Sequence, residues 1–220
     1  LRIGLIGAGA NTRSQHIPGL RRCPGVEITG VANRSRESSE RIATEFAVPH
    51  VFDSPEALCA SPEVDAVCIG TWPYKHREYT IMALEAGKHV LCEKPIAMNA
   101  AEARTLIDVR DRTGVRIQEA FMVRTHPQWV ETRRLIQSGK IGSLRSITGF
   151  FSYFNRDPAN IRNHLELGGG ALMDIGCYPI NISRFVYETE PRRVLSTIER
   201  DPATRTDTLT TAVLEFPNGH

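Results

Sequence analysis

The residues that most clearly suggest chemistry are Glu93-Lys94-Pro95, which directly follow the apolar run 90–92. A strand buried in a parallel sheet is apolar throughout, so these charges begin where such a strand leaves the sheet. Open α/β sheets bind their ligands at that carboxyl edge. A lysine is costly to bury without a partner, and Pro95 fixes the local chain direction, so we expect Lys94 to be held toward a ligand. The alternative is a solvated Glu–Lys pair at the end of a surface strand.

A glycine-rich turn near the start of the chain predicts a dinucleotide site. Residues 1–6 form an apolar strand pattern, residues 7–12 form the turn, and residues 16–22 form a helix pattern. In such a turn the backbone amides can approach a pyrophosphate, and the helix N-terminus favours its negative charge. Thr12 replaces the third glycine of the usual fingerprint, so an ordinary strand–helix turn is the alternative. The candidate cofactor-binding residues here are Gly7, Gly9, Ala10, Asn11 and Thr12.

The end of the second predicted strand, residues 26–32, bears on the type of cofactor. Folds that bind NAD usually carry an acid there for the ribose hydroxyls, but this sequence has Asn33-Arg34-Ser35. An arginine can instead pair with a 2′-phosphate, so we expect NADP, with NAD possible. The alternative is that Ser35 caps the next helix, residues 36–46, and that Arg34 is solvated. Further candidate cofactor-binding residues are Ser38, Thr71, Trp72, Pro73, His76, Glu93 and Lys94.

The order of the predicted elements indicates two domains. Strands and helices alternate through residues 1–120, which predicts an α/β Rossmann domain with a doubly wound parallel sheet. Residues 121–220 then carry strand patterns at 143–153, 192–200 and 208–216, with helices at 127–138 and up to Tyr187. Runs of strands with few helices predict an α+β domain with a mostly antiparallel sheet.

Composition excludes several classes of protein. The net charge is +2 and Lys and Arg are not clustered, so nothing favours a nucleic-acid or membrane-surface partner. No apolar run is long enough to cross a bilayer, and no signal peptide is visible. The five cysteines are scattered and form no Cys-x-x-Cys pair, which favours a reducing, cytoplasmic location and no metal site.

Three further motifs carry a family resemblance. Residues 87–95 read GKHVLCEKP, residues 119–124 read EAFMVR, and residues 168–178 read GGGALMDIGCY. Together with the glycine turn they closely resemble the glucose-fructose oxidoreductase, inositol dehydrogenase and rhizopine-catabolism (Gfo/Idh/MocA) oxidoreductases. Members of that family are longer, so the resemblance implies that the second domain is incomplete at its C-terminal end.

The resemblance implies a catalytic set of Lys94, Asp174 and Tyr178 and a cis bond between Lys94 and Pro95. Many relatives have a histidine at the position of Tyr178. The tyrosine resembles the branch with dihydrodiol and xylose dehydrogenases, which commonly use NADP.

The chemistry of this set is consistent with oxidation of a secondary alcohol, which needs a hydride acceptor and a base. A free phenol titrates near pH ~10, so Tyr178 needs a nearby cation, and Lys94 can supply one. Asp174 precedes Tyr178 by one helical turn and can orient the substrate or the lysine. Pro179 would clash inside a helix, so we expect a new helix to begin close to Tyr178.

These observations predict an NAD(P)-dependent oxidoreductase that acts on a sugar, polyol or alicyclic diol, with NADP preferred. One alternative is an NAD-linked inositol-type dehydrogenase, and another is a non-catalytic cofactor-binding sensor or structural protein. We expect a homo-oligomer that associates through the C-terminal sheet. The candidate substrate-binding residues are Arg124, Arg162, Asn163 and His164.

Overall fold

A computed structural model describes residues 1–217 of the chain. The chain divides into two units, Leu1–Ala120 and a second unit that begins at Phe121, and each is described by itself. In the first unit the strands are β1 (Arg2–Ile6), β2 (Glu27–Ala32), β3 (His50–Val51), β4 (Ala66–Ile69), β5 (His89–Glu93) and β6 (Ile117–Ala120). The helices are α1 (Ile17–Arg21), α2 (Arg36–Glu45), α3 (Pro55–Ala60), α4 (Pro73–Glu85) and α5 (Ala100–Thr113).

The six strands of the first unit form one sheet in the order β3-β2-β1-β4-β5-β6. All of the pairings are parallel, which confirms the predicted doubly wound Rossmann sheet. The chain order reverses between β1 and β4, and such a switch point opens a crevice at the carboxyl ends of the strands. The fold therefore predicts where a ligand would bind before any side chain is considered.

The sheet of the first unit has a hydrophobic core on each face. Because side chains alternate along a strand, Leu5 and Ile6 of β1 point to opposite faces. Leu5 belongs to a buried cluster with Ile17 of α1 and Ile42 of α2. Ile6 belongs to a second cluster that includes Leu84 of α4. Helices therefore cover both faces of the sheet, and the loops lie at the ends of the strands.

Polar side chains cap the starts of two helices in the first unit. Ser35 accepts a hydrogen bond from the backbone N–H of Ser38 at the start of α2. Asn99 accepts one from Glu102 at the start of α5, and the Glu102 carboxylate accepts one from the backbone N–H of Met98. These reciprocal bonds satisfy donors that a helix leaves unpaired at its N-terminus.

The second unit contains two longer helices and a small antiparallel sheet, as predicted for an α+β domain. In four of the eight residue pairs of the sheet both residues are exposed, among them Leu195 (66%) and Val213 (66%). The elements are α6 (Pro127–Gln137), α7 (Cys177–Tyr187), β7 (Arg193–Arg200) and β8 (Asp207–Glu215), with short 3₁₀ turns at Met122–Arg124, Ile161–Asn163 and Leu165–Leu167.

The strand predicted at residues 143–153 is wrong for the part of the chain that the structure describes. This segment has no regular secondary structure and belongs to neither sheet. Its alternation of apolar and polar residues expresses a preference for a pleated surface, but a strand also needs a neighbour for its hydrogen bonds. The described sheet of this unit consists of β7 and β8 alone, so that preference is not realised here.

Both units contain a π-helical turn directly before a helix whose first residues include a proline. Thr12–His16 precedes Pro18 in α1, and Leu172–Gly176 precedes Pro179 in α7. A proline donates no backbone hydrogen bond and its ring crowds the carbonyl one turn back, so a wider turn at that point accommodates it. The expected new helix with Tyr178 at or near its cap is not found: residues 171–187 are helical without a break, Tyr178 is the second residue of α7, and the π-helical turn accommodates Pro179 inside the continuous segment.

Two further observations concern the described chain as a whole. Among residues 1–217, no helix has both the length and the apolar character that crossing a membrane would require. All five cysteines are free thiols, and three of them are buried. The cytoplasmic location expected from the cysteine pattern stays a prediction.

Candidate active site

The register of the first sheet brings four predicted loops to one edge. Ile6, the last residue of β1, pairs with Ala32 on one side and with Ile69 on the other, and Ile69 pairs in turn with Cys92. The residues that follow these positions are the glycine turn, Asn33-Arg34, Gly70-Thr71 and Glu93-Lys94. Because parallel strands end together, these four segments all lie at the carboxyl edge.

A cleft of about 640 Å³ opens at this edge within the first unit. Seven predicted cofactor-binding residues line it, namely Gly7, Gly9, Asn33, Arg34, Ser38, Thr71 and Trp72. The sequence analysis missed further lining residues, including Arg41, Asp53, Lys75 and Tyr79. Ala10, Asn11, Thr12, Pro73, His76, Glu93 and Lys94 were also predicted and are not among the lining residues.

The glycine turn is held in a conformation that other residues would not adopt easily. Gly7 has φ +82°, and a Cβ at this position would come within 2.5 Å of the Thr71 side chain. Its N–H donates to the Ala32 carbonyl at 3.0 Å, and the next N–H, of Ala8, donates to Asn33 Oδ1 at 2.7 Å. Asn33 therefore shapes the turn itself, in addition to lining the cleft.

Thr12, which replaces the third glycine of the fingerprint, stabilises the glycine turn with its buried side chain. Its side chain is buried, with 1% exposed, and its hydroxyl donates to the Gly7 carbonyl at 3.1 Å. A Cβ on Gly70 would come within 2.1 Å of that hydroxyl. The threonine thus occupies space that a glycine on the neighbouring strand leaves open, and its departure from the fingerprint is compatible with a dinucleotide turn.

Arg34 lies at the mouth of the cleft beside an aromatic ring. Its guanidinium carbon is 5.8 Å from the centre of the Trp72 ring, within the range of a cation–π contact. Ser38, one turn into α2, accepts a hydrogen bond from Asn33 Nδ2 at 3.0 Å. No acid occupies the position directly after β2, and among the charged residues that line the cleft Arg34, Arg41 and Lys75 outnumber Asp53.

Glu93-Lys94-Pro95 forms a turn with defined partners, and the bond between Lys94 and Pro95 is cis, as the resemblance implied. Glu93 Oε2 accepts the backbone N–H of Lys94 at 3.1 Å. The backbone N–H of Ile96 donates to Glu119 Oε1 at 2.8 Å. Burial raises the pKa of Glu119 in spite of that hydrogen bond. The backbone around Lys94 is therefore fixed by two carboxyl groups, one on each side.

His76 has a different environment from the one expected of a cofactor-binding residue. Its ring is buried, with Nδ1 2.6 Å from the Pro95 carbonyl and Nε2 3.0 Å from the Thr71 carbonyl. The ring thus joins the loop after β4 to the turn after β5. Any effect of His76 on a bound cofactor would be transmitted through these two loops.

In the second unit, Asp174 is the centre of a polar cluster. Its Oδ2 accepts hydrogen bonds from the Tyr153 hydroxyl at 2.6 Å and from Arg162 Nε at 2.7 Å, and its side chain is 13% exposed. Burial and the hydrogen bond to Asp174 raise the pKa of Tyr153 to about 12. Tyr153 therefore stays protonated and acts as a donor, and only the structure reveals it as a partner of Asp174.

Tyr178 is packed by aromatic rings of its own unit. Its ring centre is 5.1 Å from that of Phe121 and 5.8 Å from that of Phe151, with both pairs tilted. Tilted pairs at such distances are the favoured geometry for aromatic side chains. The phenol ring is thus held by contacts that do not depend on its hydroxyl.

The glycine motif before Asp174 is explained by an acid that is distant in sequence. Asp207, the first residue of β8, accepts the backbone N–H of Leu172 through Oδ2 at 2.6 Å. A Cβ on Gly170, which has φ +119°, would come within 2.1 Å of Asp207 Oδ1. Asp207 thereby satisfies an early donor of the helical segment that carries Asp174 and Tyr178. No local motif in the sequence pointed to it.

The predicted substrate-binding residues divide into two groups. Arg162 and Asn163 line a second cavity of about 590 Å³, which lies within the second unit. Asn163 donates to the Asp157 carbonyl at 2.8 Å, and His164 Nε2 lies 2.8 Å from the Pro158 carbonyl, so both support the neighbouring loop. Arg124 lies instead over the Phe185 ring, 5.1 Å from its centre, and does not line that cavity.

Comparison with known proteins assigns both units. The model of an oxidoreductase family with an NAD-binding Rossmann fold matches residues 1–121. The chain belongs to the Gfo/Idh/MocA oxidoreductase family. The model of the GFO/IDH/MocA C-terminal domain matches residues 129–220, so the resemblance seen in the motifs extends over both units. This family consists of NAD(P)-dependent dehydrogenases and reductases.

Individual relatives within the Gfo/Idh/MocA family are 29% to 44% identical to this chain over the aligned residues. An uncharacterised oxidoreductase of Rhizobium meliloti is 44% identical over 219 residues, which are 100% of this chain and 66% of that protein. D-xylose 1-dehydrogenase (NADP(+)) 2 of Haloferax volcanii is 35% identical over 88% of this chain and 59% of its own length. A 3-ketoreductase from Actinomadura kijaniata, solved with NADP and TDP-benzene, has a TM-score of 0.92 at 29% identity and covers 100% of this chain and 67% of its own. The chain therefore spans about two thirds of these relatives or less.

Proposed function

We propose that this protein is an NADP-preferring oxidoreductase that transfers a hydride between nicotinamide and a secondary alcohol or carbonyl. The observation that carries the proposal is the cleft at the switch point of the first sheet, with Lys94 at the same carboxyl edge. Family membership supports the reaction class.

The residues of the cleft fit a dinucleotide. Its volume of about 640 Å³ is in the range of cofactor pockets. A Cβ placed on Gly9 would meet no atom within 4 Å, so the turn leaves open space beside its backbone. The open space beside Gly9 would admit the pyrophosphate to the backbone amides that follow Gly9, Gly7 would shape the turn, and Arg34 and Ser38 would face the adenosine ribose. When bound, the nicotinamide supplies the hydride acceptor or donor.

The chain's own residues would handle the proton. We assign Tyr178 as the group that takes the hydroxyl proton in oxidation, because a phenol can act as a base when a cation stabilises its anion. Lys94 is assigned to provide that charge and to hydrogen-bond the substrate oxygen. Asp174, itself held by Arg162 and Tyr153, is assigned to orient the substrate hydroxyl.

The substrate proposed is a sugar, polyol or alicyclic diol. The second-unit cavity is lined by hydrogen-bonding side chains, among them Tyr153, Arg162, Asn163 and Thr206. Relatives named as a xylose dehydrogenase, a dihydrobenzenediol dehydrogenase and an aldose-aldose oxidoreductase support this class. The test is a panel of aldoses, polyols and diols with NADP and with NAD, following absorbance of the reduced nicotinamide. Turnover of inositols with NAD would favour the inositol-type alternative, and cofactor binding without any turnover would favour a sensor.

Cofactor choice gives a first prediction. We expect Arg34→Ala to raise the KM for NADP at least ~10-fold more than the KM for NAD, since one charge-assisted contact to a phosphate contributes about 1.5–3 kcal/mol. Arg110→Ala, which changes an exposed arginine on α5, is the matched control and should alter neither value. Initial rates with each cofactor measure the effect. Equal changes in both KM values, or a wild type that prefers NAD, would contradict the assignment of Arg34.

We propose that copies of the chain associate through the β7–β8 sheet. Leu195 and Val213 face each other across the two strands and are each 66% exposed. Exposed apolar patches on a sheet favour association. We expect the wild type to elute above the mass of 24.5 kDa for one chain, and Leu195→Lys with Val213→Lys to lower the mass measured by light scattering. Ile107→Lys on α5 is the control, and an unchanged mass in the double variant would refute this interface.

A further inference from the structure

His16 is a largely buried ionisable residue to which no role has been given so far. It ends the π-helical turn after the glycine loop, and its Nε2 lies 2.6 Å from Glu93 Oε1. The two side chains are only 14% and 18% exposed. Asn11 Nδ2 donates to the same carboxylate oxygen at 2.6 Å. The pair therefore connects the loop after β1 with the last residue of β5.

In the His16–Glu93 pair, each side chain favours the charged form of the other. Hydrogen bonds to Cys68 and to Glu93 raise the pKa of His16 to about 10, in spite of its burial. Burial acts to raise the pKa of Glu93, but the hydrogen bond and charge of His16 and the N–H and charge of Lys94 hold it below its usual value. The groups that face His16 are thus Cys68 of β4 and Glu93 of β5, with Lys94 next to the latter. The raised pKa of His16 and the lowered pKa of Glu93 both favour an ion pair between the two side chains at neutral pH.

The Glu93 carboxylate uses its two oxygens for two different segments. Oε1 is in contact with His16 Nε2 and accepts a hydrogen bond from Asn11 Nδ2, whereas Oε2 accepts a hydrogen bond from the backbone N–H of Lys94 at 3.1 Å. A carboxylate without its buried cationic partner would have to find another partner or turn toward water. Such a movement would release the N–H of Lys94. The backbone N–H of Lys94 is thus linked through Glu93 to a side chain that follows β1, two strands away in the sheet.

We propose that His16 is a positioning residue that holds Glu93, and through it the turn that carries Lys94. The proposal rests on the proposed function in one respect, since Lys94 is the group that would act on substrate. It goes beyond that function in linking the loop of the cofactor cleft to the orientation of the lysine. Binding of a cofactor at the glycine loop and the position of Lys94 should consequently be coupled.

Kinetics of two variants test the proposal. His16→Leu removes the partner, and we expect kcat to fall roughly 10- to 100-fold with a smaller change in the KM for substrate, because a misplaced group loses rate more than affinity. His16→Gln keeps a side-chain donor without the charge and should be intermediate. His50→Gln, an exposed histidine at β3, is the control and should behave as wild type. Wild-type kcat in His16→Leu would overturn the proposal.

A second measurement does not depend on turnover. The chain has seven histidines, and the signal missing from the His16→Gln spectrum assigns the His16 ring in nitrogen NMR. We expect that ring to stay protonated at pH 8, well above the ordinary histidine value of about 6.5. Because the pKa of His16 is higher in the folded state, its stabilising effect is complete below pH ~6.5 and is lost as the pH rises toward about 10. The Tm difference between wild type and His16→Gln should therefore narrow over that interval.

These measurements distinguish failure of the proposed function from failure of the inference about His16. If the wild type shows no turnover on any substrate, the proposed function fails, whereas the NMR and melting results still report on the His16–Glu93 pair. A ring that titrates near pH 6.5, or a Tm difference that is constant with pH, would overturn the inference about His16 even in an active enzyme.

Discussion

Tyr178→Phe is expected to lower kcat for alcohol oxidation by roughly 10²–10⁴-fold, the range typical of a lost acid–base group. The change removes the hydroxyl and keeps the ring, which packs against Phe121 and Phe151. Those contacts are unaltered, so the free energy of unfolding should change by less than about 1 kcal/mol. Steady-state kinetics and denaturant unfolding of the same preparation measure both effects.

The pH dependence distinguishes proton transfer by Tyr178 from a packing role. A phenol accepts a proton only as its anion, so kcat/KM for oxidation by the wild type should rise with pH to a plateau. Tyr178→His should retain part of the activity and reach its plateau at lower pH, because imidazole titrates closer to neutrality. If Tyr178→Phe kept most of the rate and the same profile, Asp174 or a water molecule would have to be the base.

Lys94→Ala is expected to abolish measurable turnover. The loss should exceed the roughly 10²–10⁴-fold of one acid–base group, because the lysine is assigned both a charge and a hydrogen bond in the transition state. The carboxyl groups of Glu93 and Glu119 that hold this turn bind backbone N–H groups. Those bonds survive the substitution, so the variant should fold normally.

Cofactor binding shows whether the effect of Lys94→Ala is chemical. Fluorescence titration of the reduced cofactor should give binding within about tenfold of wild type, since the cleft is lined by other residues. Lys140→Ala, which alters an exposed lysine of the second unit, is the control. A near-normal kcat in Lys94→Ala would show that Lys94 has no catalytic role and is a surface charge at the end of a strand.

Much of the first unit follows from its sequence because its signals are local. A buried parallel strand needs an apolar run, a helix start needs a side-chain acceptor, and a tight strand–helix turn needs glycine. Each of these is read within a few residues. The alternation of strands and helices then leaves few topologies, and the observed six-stranded parallel sheet is of the doubly wound type that this alternation predicts.

Predictions that depended on a distant partner were less successful. The segment 143–153 has the composition of a strand but no neighbour in either described sheet. Thr12 reads as a departure from the fingerprint until the gap left by Gly70 is seen. His76 reads as a ligand-facing histidine, but its ring is buried between two carbonyl groups. In each case the deciding contact joins residues far apart in the chain.

The sequence by itself determined the family, the parallel sheet and the positions of the glycine turn, Lys94 and the Asp174–Tyr178 segment, because these depend on short-range backbone requirements. Only the tertiary structure decided that Tyr153 and Arg162 bind Asp174, that Asp207 holds the start of its helix, and that His16 binds Glu93. A hydrogen bond forms where two groups meet in space, and sequence spacing does not specify that meeting once a loop and a strand separate them.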